Sequence, residues 1–229
     1  MSDNEPVVIV TGAAGALGRA VVQRFQDDGA RLALFDRDAS VLKQMFPAAA
    51  FAEAVDITDE AAVAAAVDRI VQALGRIDTL VHVAGGFEMG EGVAQLTLAS
   101  WERMCGLNAW SFVALAKPVL AQMRAQGSGS IVAVSAAAAG GWQAFKGAYI
   151  ASKSALQRLV ESLAQEVAGS GIRVNSVAPT TLDTQANRAA MPDADRSAWV
   201  STAAAADAIA FLATCHGEAV QGQHLRLGA

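Results

Sequence analysis

The sequence predicts an α/β fold, a doubly wound parallel sheet of about seven strands with helices on both faces. Two observations lead there. Short β-branched runs alternate with longer Ala- and Leu-rich stretches from end to end, which is the pattern of βαβ units. At 229 residues and 53% hydrophobic, the chain can bury a full core as one domain spanning residues 1–229.

The strands are expected at residues 7–10, 31–36, 50–55, 79–83, 130–134, 172–177 and 223–227. Between the first two, residues 19–28 read as a helix closed by Gly29. Asp56, Asp59 and Glu60 end the third strand and supply a cap and an acidic first turn for a helix ending near Leu74, where Gly75 can turn left-handed. Two long helices are expected over 97–126 and 149–168. Residues 85–92, rich in glycine, and 179–199, without a strong period, both follow strand C-terminal ends. Ligands of open α/β sheets bind there, so these are the substrate-side segments.

Composition excludes several functions. A formal charge of −5 with no Lys/Arg cluster argues against nucleic acid and for a small-molecule substrate. The Ala runs at 61–66 and 203–206 are too short to cross a bilayer, so no membrane role is expected. The opening Met1, Ser2, Asp3, Asn4, Glu5 and Pro6 lack a basic and an apolar region, so a cytoplasmic protein is expected. Cys105 and Cys215 form no CxxC pair and are expected as buried reduced thiols. His82, His216 and His224 show no metal-ligand spacing, so no metal site is expected.

The first strand feeds directly into Gly12-Ala13-Ala14-Gly15-Ala16-Leu17-Gly18 and then a helix. A pyrophosphate must approach backbone N–H groups at a helix N-terminus, where the dipole favours an anion and a Cβ would obstruct. Gly12, Gly15 and Gly18 mark such approaches, in the first βα turn that a dinucleotide site requires. The second strand ends at Asp36, whose carboxylate can accept both ribose hydroxyls of NAD and repel a 2′-phosphate. NAD is therefore the preferred cofactor, while Arg37 beside Asp36 leaves NADP open. Asp56, or the backbone of Ile57, is expected to reach the adenine edge.

Tyr149, the one tyrosine of the chain, stands four residues before Lys153. On a helix that spacing shares a face, so phenol and ammonium can meet over one site. A cation about 4 Å away at an effective dielectric of about 20 contributes roughly 4 kcal/mol, enough to lower a phenol by about 2 to 3 units. Such a tyrosine can serve as acid and base toward an alcohol or carbonyl near neutral pH.

With Tyr149-Ile150-Ala151-Ser152-Lys153 and the glycine turn in view, the chain resembles the single-domain short-chain dehydrogenases/reductases along essentially its whole length. The resemblance implies a Rossmann-type fold and a carbonyl–alcohol oxidoreductase using NAD(P)(H). It adds Ser135, fourteen residues before Tyr149, as the group bonding the substrate oxygen, and Asn108 as the helix residue holding a water beside Lys153. It extends the cofactor site to Ala16, Leu17, Ala84, Gly85 and Pro179, with Tyr149 and Lys153 shared. Family members pair through the two long helices, which implies a homodimer or homotetramer.

The departures are His82-Val83-Ala84-Gly85 for the family's Asn-Asn-Ala-Gly, Thr180 for the Gly after Pro179, and Ala16 for the second turn Gly. Residues 181–199 resemble dihydropteridine reductases, which adds Leu182 and Thr184 as partners of the nicotinamide carboxamide. An NADH-dependent dihydropteridine-reductase-like enzyme is thus one alternative. A non-catalytic dinucleotide-sensing regulator is another.

Overall fold

A computed structural model describes residues 5–228, the Cys215 side chain excepted. The start of the chain and the Cys215 thiol, on which two expectations rest, lie outside the described residues. Seven strands form one parallel sheet: β1 (Val7–Thr11), β2 (Arg31–Asp36), β3 (Phe51–Ala54), β4 (Thr79–His82), β5 (Gly129–Val134), β6 (Ile172–Pro179) and, after two short strands, β9 (His224–Leu227). The order is β3-β2-β1-β4-β5-β6-β9. Each expected strand is present, the second with the expected bounds and the others with ends displaced by at most two residues. Thr11 at the end of β1 pairs with Phe35 of β2 on one side and His82 of β4 on the other. The chain reverses its direction of travel across the sheet there, and the two flanking loops diverge to leave a crevice.

Successive side chains of a strand face opposite ways, so each central strand feeds two cores. Val7 and Ile9 join Phe35, Leu80, Ile131 and Val174 under α3 (Glu60–Leu74), α5 (Ser111–Gln126) and α6 (Gly147–Glu166). Val8 and Val10 join Leu34, Val81, Val132 and Val177 under α1 (Ala16–Asp27), α2 (Ala39–Met45) and α8 (Thr202–Ala213). The cap expected for α3 is present: the Asp59 carboxylate accepts from the N–H groups of Ala61 and Ala62, and Gly75 ends the helix at φ 81°. The 203–206 Ala run lies in α8, capped by Ser201, with Ala205 and Ala206 buried against the sheet.

Two segments differ from the expectation. The helix over 97–126 is continuous but not uniformly α: α4 (Leu98–Cys105) passes through a π-turn (Gly106–Trp110) into α5. The cause is one extra residue in the ladder, with the Ser111 hydroxyl donating to Leu107 O at 2.7 Å. Among the described residues, Leu98–Gln126 is the stretch long and apolar enough to cross a membrane, yet Phe112, Leu115, Val119 and Met123 on it pack into the core. Residues 179–199 are also more ordered than their composition suggests. The short β7 (Leu182–Asp183) pairs with β8 (Val200–Ser201), and α7 (Gln185–Ala190) lies between them. Arg188 forks onto Asp183 at 2.5 and 2.6 Å to hold that excursion closed.

Leu115 is fully buried where α5 meets the sheet. Leu115→Ala is expected to lower unfolding stability by about 2–5 kcal/mol. Urea denaturation followed by circular dichroism checks this, and a loss under about 1 kcal/mol would contradict the packing described.

Candidate active site

The glycine turn is built for close approach. Gly12 adopts φ 65°, and a Cβ there would sit 2.9 Å from Ala84 Cα across the crevice. A Cβ on Gly18 would collide with Gly12 O, so Gly18 lets α1 lie against the turn. Gly15 caps α1 in an extended conformation with no side-chain hydrogen bond, and no acidic residue occupies the first helical turn. The first N–H groups of α1 are therefore directed at the crevice without a competing carboxylate, which suits a dinucleotide pyrophosphate. At Ala16 and Leu17 only the backbone could serve such a ligand, because the Leu17 side chain is buried in the core.

Asp36 ends β2 beside this turn. Its Oδ2 accepts from Ala14 N at 2.9 Å and its Oδ1 from Arg37 N at 2.8 Å, so the carboxylate is fixed at the rim. Asp56 is nearby, since Val55 N donates to Asp36 O at 2.9 Å. Its Oδ1 is taken by Thr58 N and Oγ1, and these bonds hold its carboxyl below the usual range, with a smaller contribution from Arg37. Ile57 turns its side chain into the core, leaving its backbone for an adenine edge.

The second constellation lies over β4, β5 and α6. Lys153, 5% exposed, donates from Nζ to Val134 O at 2.8 Å. Ser135 follows β5, and its Oγ donates to Lys153 O at 3.4 Å. Asn108 is carried inward by the π-turn: its Oδ1 accepts from Gly86 N at 2.9 Å, and its Nδ2 donates to Gly86 O and Ser152 Oγ. A Cβ on Gly85 would lie 2.7 Å from Asn108 Oδ1 and 3.1 Å from Lys153 Nζ, so the glycine leaves room for both to approach the same point. Tyr149, one turn before Lys153, packs edge-on against Phe87 with ring centroids 4.9 Å apart.

Pro179 ends β6, and Leu182 and Thr184 lie in the segment that follows it. Leu182 O accepts from Asn187 Nδ2, and Thr184 Oγ1 accepts from Asn187 N as the cap of α7. The Thr184 hydroxyl keeps its own hydrogen for a ligand. Thr180 fits because Gly228 has no Cβ to meet its hydroxyl, which is buried without a partner among the described residues.

Protonation reverses one expectation. Lys153 does not lower the phenol in the unliganded protein: burial pushes Tyr149 up to about 12 and Lys153 down to about 8. The reason is that both sit in a pocket with no anion, and the loss of water penalises each charged form.

Residues that sequence reasoning passed over complete the site. Phe87 and Phe145 are exposed at its mouth, with Lys146 Nζ 5.5 Å from the Phe87 ring centre. Gly90 N bonds to Phe145 O, and Phe145 adopts φ 61°, a strained value for a residue with a side chain. A cavity of about 480 Å³ opens beside this mouth between Phe87, Arg103, Phe145 and Lys146. His82, noted in the sequence only as a departure and a non-ligand, lies beneath the site, hydrogen-bonded through both ring nitrogens.

A glycine turn at a helix N-terminus, a strand-end carboxylate and a Ser, Tyr, Lys and Asn set at the C-terminal edge of a parallel sheet are the parts that a nicotinamide-dependent oxidoreductase requires. The chain belongs to the short-chain dehydrogenase family, whose model matches residues 6–195. It is 35% identical over 194 residues to the 2,3-dihydro-2,3-dihydroxybenzoate dehydrogenase of Escherichia coli K12, covering 85% of this chain and 73% of that one. It is 36% identical to the cis-4-hydroxycyclohexanecarboxylate dehydrogenase of Sinomonas cyclohexanicum, over 79% and 74% of the two chains. The crystal structure of the 3-ketoacyl-(acyl-carrier-protein) reductase from Brucella melitensis complexed with NADH superposes with a TM-score of 0.88 at 25% identity, covering 98% and 97%. The chain is an NAD(P)-dependent oxidoreductase of alcohol and carbonyl substrates.

The buried ammonium leaves a signature in stability. Lys153 at about 8 in the fold lies below its ordinary 10.5, so between these values the unfolded chain binds more protons. Stability of the unliganded protein therefore gains from Lys153 as pH rises through that window. Tyr149, raised above its ordinary 10, opposes this only above that pH. The parent is expected to gain about 2 kcal/mol on Lys153→Met between pH 7.5 and pH 10 in denaturant unfolding without cofactor. A difference independent of pH would contradict a desolvated Lys153.

Proposed function

We propose that this enzyme interconverts a secondary alcohol on a small ring and its ketone, with Tyr149 as the acid and base and NAD(H) as the preferred cofactor. The observation that carries the reading is Lys153 buried one helical turn after Tyr149, its Nζ on Val134 O and its backbone carbonyl on Ser135 Oγ. Bound nicotinamide supplies or receives the hydride at the reacting carbon. Ser135, on turning its hydroxyl from the long 3.4 Å bond to Lys153 O, and Tyr149 would donate to the carbonyl oxygen, and both bonds would strengthen as that oxygen gains charge.

In reduction, Tyr149 gives its proton to the oxygen. With the phenol at about 12 and Lys153 at about 8, the tyrosinate so formed is the stronger base and takes a proton from Lys153. Each transfer runs downhill, because an alkoxide is more basic than a tyrosinate. Oxidation uses the same groups in reverse and gains as pH rises. Asn108 fixes the loop at Gly86 beside Lys153.

The fixed Asp36 carboxylate supports NAD over NADP, since a 2′-phosphate would meet its charge. The two carboxylated-ring relatives and the apolar mouth at Phe87 and Phe145 support a ring substrate. Exposed Trp101 and Trp110, on the helical stretch expected to pair, support a homodimer or homotetramer. One domain in the cytoplasm would then carry both the cofactor and the substrate site. Neither a dihydropterin reductase nor a non-catalytic dinucleotide sensor is favoured by the relatives and the complete Ser135, Tyr149, Lys153 and Asn108 set.

Tyr149→Phe is expected to lower turnover of cyclic alcohols with NAD at least about 100-fold. NADH affinity, read by fluorescence, should stay near the parent's, and parental turnover would remove Tyr149 from the mechanism. For the cofactor, Asp36→Ala should narrow the ratio of kcat/KM for NADH over NADPH. A parent without preference would refute the role given to Asp36.

A further inference from the structure

His82 stands where the family carries an asparagine, at the end of β4, paired with Thr11 and Ala133 in the neighbouring strands and 1% exposed. Burial, followed by repulsion from Lys153, pushes its imidazole down to about 3, so the ring is neutral. A neutral imidazole has one donor and one acceptor nitrogen, and here its neighbours determine which is which.

On one side, Thr11 Oγ1 accepts from Ala84 N at 3.2 Å and lies 2.9 Å from His82 Nδ1. Thr11 Oγ1 can donate to that nitrogen or accept from it, so this side alone leaves the tautomer open. On the other side, His82 Nε2 is 3.1 Å from Ser111 Oγ, whose hydrogen goes to Leu107 O at 2.7 Å. Ser111 must therefore accept, and Nε2 carries the proton. The Ser111 end therefore fixes the tautomer of the neutral ring, which leaves Nδ1 as the acceptor of the Thr11 hydroxyl hydrogen. The bonds form one directed series from the Ala84 N–H through Thr11, His82 and Ser111 to the Leu107 carbonyl.

The two ends of that series matter. Ala84 precedes Gly85, whose missing Cβ admits Asn108 and Lys153, and it also backs Gly12 of the glycine turn. Leu107 precedes Asn108 on the π-turn, and the Ser111 bond occupies the carbonyl that the extra residue has taken out of the regular ladder. We propose that His82 is a positioning residue: its directed hydrogen bonds lock the π-turn to the loop after β4 and so set Asn108 beside Lys153. The inference rests on the proton path given above and adds a residue that touches neither substrate nor cofactor. An asparagine can offer an acceptor and a donor from one amide. The imidazole spans a longer gap with the same polarity.

The test uses the full-length enzyme with NADH in three variants. His82→Phe keeps a ring but no polar atom, Ser111→Ala removes one hydroxyl, and His82→Gln restores an acceptor and a donor on a flexible stem. For the first two, kcat is expected to fall at least tenfold and the pH profile of kcat to shift, with NADH affinity within threefold of the parent. His82→Gln is expected to recover most of both. Should His82→Phe fail to fold, Ser111→Ala decides alone. The Asn108 side-chain amide is read in parallel by 15N NMR without substrate, and in Ser111→Ala its resonances are expected to move and its hydrogen exchange to quicken. Parental kcat and pH profile together with unmoved Asn108 resonances in folded Ser111→Ala would overturn the proposal. Absence of turnover by the parent on any cyclic alcohol would instead refute the proposed function, while the Asn108 resonances would still decide the role of His82.

Discussion

The site depends on one ammonium group held out of water without a carboxylate. Among the described residues, Lys153 Nζ has a single hydrogen-bond partner, the backbone carbonyl of Val134, and burial alone brings it to about 8. Burying a charge this way costs free energy, and the surroundings are arranged to tolerate it. Gly85 has no side chain because Asn108 and Lys153 occupy that space. His82 nearby is kept neutral, since a second cation would compound the penalty. The carboxylates of Asp36 and Asp56 stand at the dinucleotide end, engaged with Ala14 and Thr58.

Function follows from the ordering this produces. Had Lys153 been fully solvated and the phenol lowered, as the spacing of the two residues suggests, Tyr149 would have been partly ionised before any substrate arrived. Instead burial holds the phenol at about 12 and Lys153 at about 8, which under the proposed function keeps the proton on Tyr149 until it is needed. The proton leaves the phenol only when a stronger base, the developing alkoxide, appears beside it. The sheet brings this chemistry to the cofactor: Thr11 ends the strand that opens the glycine turn, and it bonds both the loop after β4 and His82.

Much of this was legible in the sequence. All seven sheet strands were, because buried parallel strands are continuous apolar runs bounded by turn residues. The glycine turn, Asp36, Tyr149 and Lys153 were legible because their chemistry depends on residue type at fixed local spacing. Three features were not. The π-turn at Gly106–Trp110 adds one residue to a helical ladder and leaves the composition of a helix unchanged. The short β7, α7 and β8 are held by long-range pairing and by Arg188 on Asp183, which no period announces. The sign of the Tyr149 shift was missed because spacing reveals a neighbouring charge but not the loss of water around both groups. His82 drew attention only as a departure, since its role lies in partners 71 and 29 residues away.

The most direct measurement is a 15N NMR titration of the lysine side chains in the unliganded enzyme, with Lys153 assigned by its loss in Lys153→Met. The account requires the Lys153 Nζ resonance to titrate near 8, apart from the other three lysines. Titration at the ordinary value of 10.5 would mean a solvated ammonium, and the proton order described here would fail.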